Sequence, residues 1–109
     1  MKVPTNNIGG EIVKDNETYL LRDNKLLNNL VVSSTLLLPG KETRGHYHEG
    51  QEEVYFFQYG CGEMTLGKET FPVAGGETVL IPDGEFHKVK NTEKYPLYFV
   101  CVFDGKRNH

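Results

Sequence analysis

Long apolar runs are missing from this chain of 109 residues, and no stretch approaches the ~20 apolar residues that a membrane-crossing helix needs. The first seven residues, Met1 to Asn7, carry one lysine with no apolar segment behind it, so no secretory leader is expected. Cysteine is scarce. Cys61 stands in a Gly-Cys-Gly turn and Cys101 inside an apolar stretch, which points to reduced thiols in a cytoplasmic protein rather than a disulfide framework. Clustered basic residues are also lacking. Twelve Lys and Arg against fifteen Asp and Glu give a net charge of -3 and a pI near 5.8, which excludes the electrostatic footprint of a nucleic-acid or anionic-membrane binder. No helical period is sustained, although residues 24–30 have room for one short turn. Repeats, low-complexity tracts and linkers are absent too, so residues 1–109 form one expected domain with a core at about 18–104 and loosely held termini.

What is present is a succession of short strands and turns. Gly and Pro punctuate the chain at Gly9-Gly10, Pro39-Gly40, Gly60-Cys61-Gly62, Gly67, Gly75-Gly76, Pro82-Asp83-Gly84 and Gly105. Between them lie runs rich in β-branched, leucine and aromatic residues: Tyr19 to Arg22, Leu30 to Leu38, Glu53 to Tyr59, Thr78 to Ile81 and Leu97 to Phe103. Strands this short and this regularly spaced predict an all-β sandwich or barrel. The run from Leu97 to Phe103 is apolar at both parities, so one face is expected in the barrel and the other against a second sheet or a second subunit. Apolar surface near Val100 makes a homodimer the expected assembly.

Three of the four histidines fall in two turn-and-strand units in the middle of the chain. His46 and His48 are two residues apart, which on a strand places both rings on one face. Glu53 follows a turn built from Glu49, Gly50, Gln51 and Glu52, which can return the chain as an antiparallel neighbour with Glu53 pointing into the same interior. A second turn, Pro82-Asp83-Gly84, precedes His87 at the start of another strand. Three imidazoles and a carboxylate converging in one interior are a donor set for a borderline divalent ion. Burying them together without a metal or mutual pairing would cost several kcal/mol in desolvation.

The spacing G-x5-H-x-H-x4-E-x6-G from Gly40 to Gly60 resembles the first cupin motif, and G-x5-P-x-G-x2-H-x3-N from Gly76 to Asn91 resembles the second. That resemblance implies a cupin fold, a double-stranded β-helix or jelly-roll barrel, in a single domain. It also implies metal ligation by His46, His48, Glu53 and His87, and a structural role for Asn91. The ion would be one divalent transition metal: Zn, Mn, Fe, Ni or Co. Four protein donors on an octahedral ion leave two positions for water or substrate.

The flanking residues carry the functional expectation further. Gly45-His46-Tyr47-His48 and Glu53-Val54-Tyr55 resemble the cupin-type phosphoglucose isomerases of archaea, and Thr43-Arg44-Gly45 resembles a stretch of nucleotide-sugar isomerase and epimerase cupins. A metal-dependent isomerase or epimerase acting on a small sugar or sugar phosphate is the leading expectation. In it Glu53 and Tyr55 are the catalytic candidates, and Arg44 with Tyr55 would hold the substrate. Two alternatives accompany it. One is an Fe(II)-dependent dioxygenase at the same ligands, and the other is a non-enzymatic metal- or sugar-binding cupin.

Overall fold

The computed structural model describes residues 1–105; His109, the fourth histidine, and the expected loose C-terminal end lie outside them. The described residues contain nine strands and no helix, so the short turn expected at 24–30 is a bend instead. In chain order the strands are β1 (Glu11–Asp15), β2 (Tyr19–Asn24), β3 (Leu30–Leu37), β4 (Glu53–Tyr59), β5 (Cys61–Leu66), β6 (Glu69–Ala74), β7 (Thr78–Ile81), β8 (His87–Asn91) and β9 (Leu97–Asp104). They form a six-stranded sheet in the order β1-β2-β3-β9-β4-β7 and a three-stranded sheet in the order β6-β5-β8, with every pair antiparallel. This two-sheet, all-β architecture agrees with the fold that the resemblance of the two motifs implies.

The sheets face one another because each has an apolar inner face. Leu37, Tyr55, Phe57, Val79, Ile81, Leu97 and Phe99 from the large sheet meet Met64, Val73 and Val89 from the small one in a single buried cluster. Phe57 and Phe99 are the largest fully enclosed side chains among the described residues, their rings 5.2 Å apart. β6 carries Pro72, which a central strand would not tolerate; it is accommodated because β6 is an edge strand.

β9 is buried on both faces, as its apolar parities predict. Its inner residues join the main cluster. Its outer residues Tyr98 and Val100 pack under Ile8, with Val32 and Leu36 beside them. Ile8 is 1% exposed, and the Tyr98 hydroxyl donates to the Thr5 carbonyl at 2.7 Å. The N-terminal segment therefore covers the surface that sequence reasoning offered to a second subunit, and it is anchored where a loose end was expected. Val100 supplies no exposed apolar patch. Strand β1 also lies outside the expected core at 18–104, pairing with β2 at the edge of the large sheet.

Candidate metal centre

The segment from Lys41 to His46 runs along the outer edge of β8 without forming a regular strand. It touches β8 at two isolated bridges, Glu42 with Lys90 and His46 with His87. His46 and His87 exchange both backbone hydrogen bonds, at 3.2 and 2.9 Å, so their side chains leave the same face. Thr43 strengthens the contact, its amide donating to the Val89 carbonyl at 2.8 Å and its hydroxyl accepting from the Val89 amide at 2.9 Å. The expected His-x-His strand is thus an irregular edge segment, held by β8 rather than by a neighbour of its own.

Glu53 does not return beside the histidines, as the turn at Glu49 to Glu52 suggested. It opens β4 in the other sheet, opposite Phe103 of β9 and Ile81 of β7. The connection crosses from one sheet to the other. Gly50, at φ +80°, makes the sharp turn, and the Gln51 amide group donates to the Asp104 carbonyl at 3.0 Å. Three imidazoles come from the side of the small sheet and the carboxylate from the large one, meeting in the space between.

The geometry there is close. A nitrogen of His46, a nitrogen of His87 and a carboxylate oxygen of Glu53 all lie within 4.8 Å of one another. Glu53 Oε1 stands 3.7 Å from His87 Nε2 and 3.8 Å from His48 Nε2. The His46 ring centroid is 4.7 Å from that of His48 and 4.5 Å from that of His87. Both Nδ1 atoms of His46 and His87 sit 3.0 Å from backbone carbonyls, of Arg44 and Glu85 respectively. A carbonyl accepts only from N–H, so Nδ1 bears the proton and the lone pair is left on Nε2.

These residues fit a divalent ion. The His87 Nε2 atom is fully buried and makes no hydrogen bond to any described residue. Burial, reinforced by the neighbouring His46 and His48, pushes the His87 imidazole down to about 4 against the opposing pull of the Glu85 carbonyl, so at neutral pH it is uncharged. Ligation requires that neutral form. Two donors bound to one ion at about 2.1 Å stand roughly 3–4 Å apart, which matches the separations of Glu53 from His48 and His87.

The cluster opens on a cavity of about 290 Å³ whose walls include His46, Glu53, Tyr55, Arg44 and Thr43. Tyr55 is buried two residues beyond Glu53 on the same face of β4, edge-on to His87 with ring centroids 5.7 Å apart and stacked on Phe99 at 5.2 Å. Arg44 is exposed at the cavity wall. Sequence reasoning missed three polar residues of the lining: Ser33, Thr35 and Lys14. Ser33 and Thr35 were legible as polar residues at inward parity in the apolar strand β3, whereas Lys14 reaches the cavity through a bulge that no sequence pattern announces.

A family model described as the cupin domain matches residues 34–103. An uncharacterised protein of Methanocaldococcus jannaschii is 30% identical over 94 residues, covering 76% of this chain and 75% of that one. A glucose-6-phosphate isomerase of Thermococcus gammatolerans is 28% identical over 106 residues, covering 85% of this chain; the match spans 56% of the isomerase. The crystal structure of a predicted oxalate decarboxylase from Thermotoga maritima superposes with a TM-score of 0.76, at 24% identity, over 95% of this chain and 98% of that one.

Proposed function

The chain belongs to the cupin domain family, and on that premise we propose that it is a metal-dependent isomerase or epimerase of a small sugar or sugar phosphate. The observation that carries this reading is the cavity. His46 and Glu53 of the donor cluster share its wall with Tyr55 and Arg44, so a bound molecule meets the cluster, a phenol and a guanidinium together. Similarity to glucose-6-phosphate isomerases supports the substrate class.

His46, His48, Glu53 and His87 would hold the ion, which can be Zn, Mn, Fe, Ni or Co because imidazole and carboxylate suit all of them. When bound, the ion polarises a substrate carbonyl or hydroxyl pair. The rest falls to the chain. Glu53 takes a proton from one substrate carbon and returns it on the same face to the neighbouring carbon, the transfer that interconverts an aldose and a ketose. Tyr55 donates a hydrogen bond to the substrate oxygen next to that carbon. Arg44 fixes the anionic end of the molecule, and orientation by such a clamp lowers the barrier without touching the reacting atoms.

The test is proton exchange in deuterated water with metal-loaded protein and a panel of aldose and ketose phosphates. Solvent deuterium entering the carbon beside the carbonyl supports the reading. Failure of every sugar and sugar phosphate to exchange, with metal stoichiometrically bound, overturns it.

A further inference from the structure

Strand β1 contains a register shift. Glu11 pairs with Asp23 and Ile12 with Arg22, but Leu21 is opposite Lys14, leaving Val13 as an extra residue. In regular pairing Val13 would oppose Leu21, and Lys14 would oppose Leu20 on the outer face. Opposed residues of an antiparallel pair project to the same side. Leu21 points inward and lines the cavity, and Lys14 lines it too. The bulge therefore brings Lys14, which stays exposed, to the cavity wall instead of the outer face of the sheet.

We infer that Lys14 is a specificity-determining residue that binds the anionic group of the substrate, a phosphate or a carboxylate, in concert with Arg44. This deepens the proposed function and rests on it. Apart from His46, the acidic and basic side chains on the cavity wall are the basic Lys14 and Arg44 and the acidic Glu53, in a chain whose net charge is -3. Neither cation is within ion-pair distance of a described carboxylate, whereas the neighbouring Glu11 is taken by Lys25 at 2.9 Å. Lys14 belongs to β1 and Glu53 to β4, with three strands between them, so one molecule reaching both spans the cavity. At about 290 Å³ the space lies at the lower end of small-molecule sites, which suits a monosaccharide with one charged group.

The experiment is calorimetric titration of metal-loaded wild type, Lys14→Met and Lys14→Arg with glucose 6-phosphate, gluconate and glucose. The phosphate and carboxylate arms identify which anion is taken, and glucose is the neutral control. Expected is binding of one anion that weakens about tenfold or more in Lys14→Met, recovers in Lys14→Arg, and leaves metal content unchanged. Equal affinity in wild type and Lys14→Met, or no binding of either anion to wild type, overturns the inference. Lys14-dependent binding without deuterium exchange in any sugar phosphate upholds the anion site and overturns the isomerase reading instead.

Discussion

Asp83 accepts a hydrogen bond from the backbone amide of Gly50, Oδ1 to N at 2.7 Å, across 33 positions of sequence. The bond clasps the turn after His48 to the turn before His87, and the Gly84 amide donates to the His48 carbonyl at 3.0 Å beside it. Two loops that each deliver an imidazole are thereby fixed to one another. Replacing Asp83 by Ala should weaken metal affinity about tenfold, in the range seen when an outer-shell partner is lost. Metal titration against a competing chelator measures this, and unchanged affinity would show that the clasp does not position the donors.

His48→Ala and His87→Ala should each abolish stoichiometric metal binding while the chain still folds as a β protein. Both should melt at lower temperature than metal-loaded wild type, because a ligand bound only by the folded state stabilises it. Chelator treatment of wild type should reproduce the shift. Elemental analysis with far-ultraviolet circular dichroism distinguishes this from collapse of the fold, which would make the site a structural one.

Acid should destabilise the metal-free protein through His87. The unfolded chain takes up this proton near 6.5 and the folded one only at about 4. Between those values the unfolded state binds more protons, so stability falls as pH falls. The contribution is intact above about 6.5 and fully lost below about 4. Comparing thermal melts of metal-free wild type and His87→Gln isolates the effect: the wild type should lose more of its stability over this window, and parallel curves would contradict the assignment.

Asn91 should prove structural. It is fully buried; its Nδ2 donates to the Leu37 carbonyl at 3.0 Å and the Tyr95 carbonyl at 2.7 Å, and its Oδ1 accepts from the Glu93 amide at 2.9 Å. Asn91→Ala strands three backbone groups and should cost about 2–3 kcal/mol. Chemical denaturation measures the loss, while the stoichiometry of metal binding should stay that of wild type.

Strands rich in apolar and β-branched residues were legible because their side chains dictate them: β2, β3, β4, β7 and β9 begin where the composition changes. β5 and β6 were obscured by Gly62 and Pro72, whose intrinsic preferences are overridden by pairing with neighbours already in place. The approach of His46, Glu53 and His87 to within 4.8 Å, with His48 Nε2 3.8 Å from Glu53, agrees with the spacing, but the route was not readable from it. Spacing constrains parity along one strand, whereas the crossing of Glu53 to the opposite sheet depends on which strands pair. β9 posed the same difficulty. Its two apolar faces were plain, yet only the path of the N-terminal segment determines that Ile8 covers Tyr98 and Val100.

Donors drawn from opposite sheets would give a bound cation a mechanical role besides its chemical one. It would act as a rivet through the sandwich: the donors come together only when the two layers have closed, and prying the layers apart would mean releasing the ion first. Metal capture should accordingly be among the last events of folding, and the loaded protein should resist separation of its layers at the very place where a substrate must be admitted.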